Sequence, residues 1–188
     1  MGNESRVIAI FAAHPDDEVL GVGGTHARLL AEGHLVHERI VGKGRGDILD
    51  QQFDTRPFLE YVQLIEGWIN ELQPHTVYSH WRGDLNRDHQ IIAEAVEVAT
   101  RPLPGCPVKE VYAFEIQGDR RFVPDIWVPL SAKDVGRKIH RMWTEYSDEM
   151  RDYPHSRSSG AITAHSQYRG MQCGHFYAEA FIMVRRVL

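Results

Sequence analysis

The longest unbroken apolar stretch covers residues 7–13, and it lacks the alternation of a half-exposed strand. Together with Arg6 it predicts a central strand over 6–13 buried on both faces, as in a parallel sheet. Residues 18–32 then take helical spacing through Leu20, Ala27, Leu30 and Ala31, with Gly33 as a stop. A second strand follows over 34–41. Phe58, Leu59, Val62, Ile65, Trp68, Ile69 and Leu72 share one face of a helix over 56–72, which Pro74 ends. A short strand is expected over 76–80 and another helix over 88–100, through Ile91, Ile92, Ala95, Val96 and Ala99. Strands over 108–116 and 126–130 come next. Ser131 and Asp134 have the form of a capping box that opens a helix to about Tyr146. A helix around 158–172 and a last strand over 177–186 complete the pattern. Alternating strands and helices with a buried first strand imply an α/β fold: a Rossmann-like three-layer sandwich with a mostly parallel sheet and helices on both faces. With 188 residues and no repeat, linker or charge block, the chain reads as a single domain over 1–188.

Composition removes several function classes. Twenty-six acidic and 21 basic residues leave a net charge of −5, with the basic residues scattered, which is not the footprint of a nucleic-acid binder. The apolar runs are far short of a membrane span. Cys106 and Cys173 form neither a disulfide framework nor a metal knuckle. No basic region followed by an apolar segment marks a secretory signal, so the expected location is cytoplasmic. Whether the chain forms a homo-oligomer is not written in the sequence.

In such sheets ligands bind beyond the carboxyl ends of strands. Two loops qualify, Ala13-His14-Pro15-Asp16-Asp17-Glu18 and the segment from His80 through Asp84, Asn86 and Asp88 to His89. Five acidic residues and three histidines collect there. A catalytic zinc takes three protein ligands and keeps one position open. His14 and Asp17 can converge on one ion from the first loop, with His89 supplying the third ligand from the second and Asp16 left over. Neighbouring carboxylates repel, and a divalent cation resolves that conflict. A plainer reading stands beside this one: Asp16 or Asp17 caps the first helix and Asp88 caps a later one.

The motif from Ala13 to Glu18, continued by Leu20-Gly21 and Gly23-Gly24, resembles the signature of the PIG-L/LmbE-like de-N-acetylases. The run Gly83-Asp84-Leu85-Asn86, with Asp88-His89, is similar to the second motif of one branch. Weaker matches lie at 100–104, 153–158, 168–170 and 177–181, so the resemblance spans nearly the whole chain. It implies a zinc hydrolase, with one Zn2+ per chain, that removes an acetyl group from an N-acetylglucosamine-like amino sugar. Carried over by position, His14, Asp17 and His89 hold the zinc and Asp16 is the general base. The chemistry is coherent, because a metal lowers the pKa of bound water and an aspartate can accept its proton.

The chain departs from the family twice. A histidine stands in much of the family where this sequence has Asn86, which can donate a hydrogen bond to an oxyanion but cannot shuttle a proton. The amine must then be protonated by Asp16 or by a histidine from elsewhere, with His80 and His155 as the candidates. His155 and Arg157 are the expected substrate contacts. The segments 42–54 and 117–125 are also short for the family. Gly42, Gly44 and Gly46 lack the Gly-Lys-Ser/Thr of a phosphate loop. Gly21 and Gly24 fit close helix–sheet packing better than dinucleotide binding. Trp68 and Trp143 are expected in the core, while Trp81 either stacks on a sugar or roofs its loop. Two other functions fit the same residues: a two-metal phosphoesterase, and a metal-stabilised sugar-binding protein without turnover.

Overall fold

A computed structural model describes residues 4–44, 51–117 and 121–187. The elements run β1 (Val7–Ala12), α1 (Asp17–Ala31), β2 (Leu35–Ile40), α2 (Val41–Gly44), a 3-10 turn (Phe53–Thr55), α3 (Phe58–Leu72), β3 (Thr76–His80) and α4 (Arg87–Ala99). β4 (Glu110–Phe114), β5 (Ile126–Leu130), α5 (Ala132–Glu145), α6 (Ser159–Cys173) and β6 (Tyr177–Arg186) follow. The six strands form one sheet in the order β2-β1-β3-β4-β6-β5. β2, β1, β3 and β4 pair in parallel, while β6 is antiparallel to both β4 and β5. The mostly parallel α/β sandwich anticipated from the pattern is the architecture found. Short α2 was not anticipated, and Gly46 lies outside the described residues.

Alternation along β1 shows why its whole run is apolar. Ala9 and Phe11 face α3 and α4, where Ile65, Ile69, Ile92 and Val96 are buried. Ile8 and Ile10 face the opposite side, with Val22 of α1 and with Phe114 and Phe181. Phe11 meets Trp68 at a ring separation of 5.6 Å. A second layer of packing joins Val19 and Leu20 of α1 to Met142 of α5 and Ile162 of α6. Trp143 is an exception: it is 54% exposed and donates to Ser159 Oγ at 3.0 Å. Helical spacing placed it among core positions, but its indole stays at the surface, tied to the first residue of α6.

α1 lies close to the sheet because Gly21 allows it; a Cβ there would stand 2.3 Å from the Phe114 ring. At Gly24 a Cβ would meet Leu130 at 2.4 Å and Glu179 Oε1 at 3.2 Å. Glu179, from β6, uses this gap to reach the backbone of α1, accepting from Gly24 N–H at 2.9 Å and Thr25 N–H at 2.7 Å. Lys138 of α5 completes the junction, donating to Glu179 Oε1 and to the Leu20 carbonyl, both at 2.7 Å. Both side chains are buried. The charged pair thus pins α1, and with it the loop that opens α1, to α5 and β6. The capping box of α5 is present with both arms, Ser131 Oγ receiving Asp134 N–H and Asp134 Oδ2 receiving Ser131 N–H. Among the described residues no helix is long and apolar enough to cross a membrane.

Candidate metal centre

β1, β3 and β4 are parallel, so their carboxyl ends meet at one rim of the sheet. The loop after β1 carries His14 and Asp16, and α1 opens with Asp17; the loop after β3 carries Asp84 and Asn86, and the first turn of α4 carries Asp88 and His89. His14, Asp17 and His89 come together as a group that could hold a metal ion. His14 Nδ1 lies 3.3 Å from His89 Nε2. Asp17 Oδ2 lies 3.4 Å from His14 Nδ1 and 3.3 Å from His89 Nε2. The three donor atoms therefore mark a nearly equilateral triangle.

Further carboxylates orient both imidazoles. His14 Nε2 sits 2.9 Å from Asp88 Oδ2, and because a carboxylate only accepts, that nitrogen carries the proton. Nδ1 is left as the lone-pair nitrogen facing the triangle. Asp88 is held in turn by the backbone N–H groups of Gln51 (2.7 Å) and Phe53 (3.1 Å). His89 Nδ1 lies 3.1 Å from Asp84 Oδ2, a charge contact without hydrogen-bond alignment that still favours the proton on Nδ1. Two ring nitrogens and a carboxylate oxygen at such separations need a positive charge among them, either a proton on His89 Nε2 or a metal ion. Carboxylate–histidine pairs of this kind fix the tautomer of metal-binding imidazoles.

Electrostatics of the site follow the same logic. Burial works against the charged form of His89, but Asp17 and Asp84 outweigh it and raise His89 to about 9. Burial likewise works against the Asp17 carboxylate, yet His80, His14 and His89 together hold it well below the usual carboxylate range. Burial keeps His80 far below an ordinary histidine and hence neutral, while the backbone N–H of His14 also donates to Asp17 Oδ2 at 2.9 Å. His80 itself accepts Ala13 N–H at 2.9 Å and stacks on His89 at a ring separation of 4.0 Å. It stands behind the triangle rather than in the cavity.

Asp16 occupies the N-cap position of α1 in the left-handed region, at φ 85°, and its side chain makes no capping bond. Capping therefore does not explain this residue, and strain at a non-glycine left-handed position favours sites with a function. Its carboxylate is 0% exposed and faces Arg157, whose Nη2 donates to Oδ1 at 3.4 Å while Nε lies 2.6 Å from Oδ2. Burial, aided by Asp17, pushes Asp16 up to about 6 despite the guanidinium. Glu18 points away from the triangle and accepts from Tyr146 at 2.7 Å. Nor is Asp88 a cap; Asn86 is, its Oδ1 accepting Asp88 N–H at 2.8 Å. That bond fixes the amide so that Nδ2 is the group left to donate.

A cavity of about 530 Å³ opens over the triangle, lined by His14, Asp17 and Leu20, by Asn86 and His89, and from more distant segments by Ile116, Gln117, Glu149 and Arg157. Arg157 and Asn86 both stand in this lining. His155 is exposed and outside the lining, where its Nδ1 accepts Arg157 N–H at 3.1 Å. Trp81 packs edge-on against Phe122 at 5.5 Å and so roofs its loop. Sequence reasoning assigned no role to Gln117, Glu149 or the contact between Asp16 and Arg157, since only the fold brings those loops together.

No family model matches the sequence, and no curated protein sequence does. Solved structures do match. N,N'-diacetylchitobiose deacetylase from Pyrococcus horikoshii shares 14% identity at a TM-score of 0.75, over 97% of this chain and 85% of its own. The 4-carboxy-2-hydroxymuconate hydratase GalB from Pseudomonas putida KT2440 shares 18% at a TM-score of 0.71, over 98% of each chain. The zinc-inhibited form of teicoplanin deacetylase Orf2 shares 13% at a TM-score of 0.67, over 95% of this chain and 98% of its own. At these identities the common property is the fold.

Proposed function

We propose that this protein is a hydrolase that removes an N-acyl group, acetyl in the first instance, from an N-acetylglucosamine-type amino sugar or its conjugate, using one zinc ion per chain. The observation that carries the reading is the triangle of His14, Asp17 and His89 at the floor of a cavity, with the Asp16 carboxylate beside it and outside the donor set. Donor atoms on a tetrahedral ion, at bonds of about 2.0–2.1 Å, lie about 3.3–3.4 Å apart, which is the spacing found. Two of the similar folds carry deacetylases, one of a diacetylchitobiose and one in a zinc-inhibited form, while a third carries a hydratase, so the activity must be argued from the site. Among the described residues one such donor group is present, which favours a single ion over the paired ions of a phosphoesterase.

A zinc ion bound there would polarise the amide carbonyl and lower the pKa of water. The chain's own groups then divide the remaining work. Asp16 accepts a proton from the water that attacks the carbonyl carbon and returns it to the nitrogen as the C–N bond breaks, giving carboxylate and amine. Burial raises this carboxyl, which favours the return of the proton to the nitrogen. Arg157 covers Asp16 and must lift for this to happen; its side chain is one-third exposed and long enough to do so. Asn86 Nδ2 donates to the oxygen as negative charge develops on it. His155 would meet only a substrate that extends past the cavity mouth.

Acetate release from N-acetylglucosamine conjugates tests the reading. The zinc-loaded chain is expected to release acetate, a chelator to stop it without unfolding the chain, and added zinc to restore it. Zinc and sugar binding with no acetate from any conjugate would instead support the binding protein. Phosphate release from phosphomonoesters would support the phosphoesterase.

A further inference from the structure

The loop after β4 adds a third wall to the cavity. Gln117 lies in its lining, and both Nε2 and Oε1 are buried without a hydrogen-bond partner among the described residues. A buried carboxamide with neither end paired is unfavourable, and such groups are characteristic of sites completed by a ligand. The two residues before it are anchored. Glu115 is held by Arg169 through Nε at 2.7 Å and Nη2 at 2.8 Å. Ile116 packs on the cluster that contains Leu20. Gln117 is thereby offered to the cavity from a fixed backbone, beside apolar surface.

Resting on the deacetylase reading above, we propose that Gln117 is a specificity-determining residue that recognises two adjacent hydroxyl groups of the sugar ring. A carboxamide donates from nitrogen and accepts at oxygen, and neighbouring hydroxyls can do both, so one Gln117 side chain satisfies a vicinal pair. Being uncharged, it selects a neutral polyol edge. The apolar surface of Leu20 and Ile116 alongside suits the C–H face of the ring or the acetyl methyl.

The test compares N-acetylglucosamine with N-acetylcyclohexylamine, which keeps the scissile amide and ring size but has no hydroxyls. For Gln117→Met, kcat/KM on N-acetylglucosamine is expected to fall about 10- to 100-fold, mostly through KM, because a site built to pair a hydroxyl discriminates strongly on it. On N-acetylcyclohexylamine it should stay within about twofold, with zinc content and thermal unfolding unchanged. An equal loss on both compounds would make Gln117 merely structural and overturn the proposal. If the native chain releases no acetate from either compound, the deacetylase reading fails separately, and calorimetric binding of N-acetylglucosamine decides. Weaker binding in Gln117→Met then supports the assignment; equal affinity, or none in either form, overturns it.

Discussion

Asp16→Asn is expected to leave the metal in place and cut turnover by about 10²- to 10⁴-fold, the scale of a lost general base. Asp16 is outside the donor triangle, so zinc content should equal that of the native chain. Asparagine also tolerates the left-handed backbone at φ 85°, so the turn survives the change. What disappears is the carboxylate that takes the proton and the negative charge that Arg157 faces. His14→Ala should give the opposite pattern, with loss of metal as well as of activity. Zinc content and initial rates measured on the same samples separate the two; metal lost from Asp16→Asn but kept by His14→Ala would exchange their roles.

Lys138→Met has the largest expected effect on stability, about 3–5 kcal/mol, because it strands the buried Glu179 carboxylate without its cation. Lys138 is 1% exposed and also serves the Leu20 carbonyl, which loses its Nζ donor. Domains commonly hold only about 5–15 kcal/mol of net stability, so this single change removes a large share. Adding Glu179→Leu should recover only part of the loss, since Gly24 and Thr25 N–H groups then lack the carboxylate they donate to. Denaturant titration of the native chain and both variants measures this. A loss below about 1 kcal/mol for Lys138→Met would mean that water or another donor takes the place of the Lys138 ammonium at Glu179.

The local parts of this architecture were readable in advance, and the non-local parts were not. β1 announced itself because burial on both faces demands an unbroken apolar run, and the capping box of α5 because its two partners are three residues apart. His14, Asp17 and His89 were legible because two compact motifs at strand ends supply them, and the parallel pairing of β1 with β3 brings those ends together. The insertion of β6 between β4 and β5 left no mark, since strand order is decided by pairing between distant segments. Asp88 looked like a helix cap and proved to orient His14, because residue type at a helix start does not reveal where the side chain turns. Gln117 carried no signal at all: an isolated glutamine gains meaning only from the cavity around it.

The most direct measurement is an anomalous-scattering map at the zinc absorption edge, recorded from crystals of the zinc-loaded chain. One peak per chain is expected, within bonding distance of His14 Nδ1, Asp17 Oδ2 and His89 Nε2, with Asp16 uncoordinated. A peak bound by other residues, a second peak beside the first, or none at that rim would contradict the account.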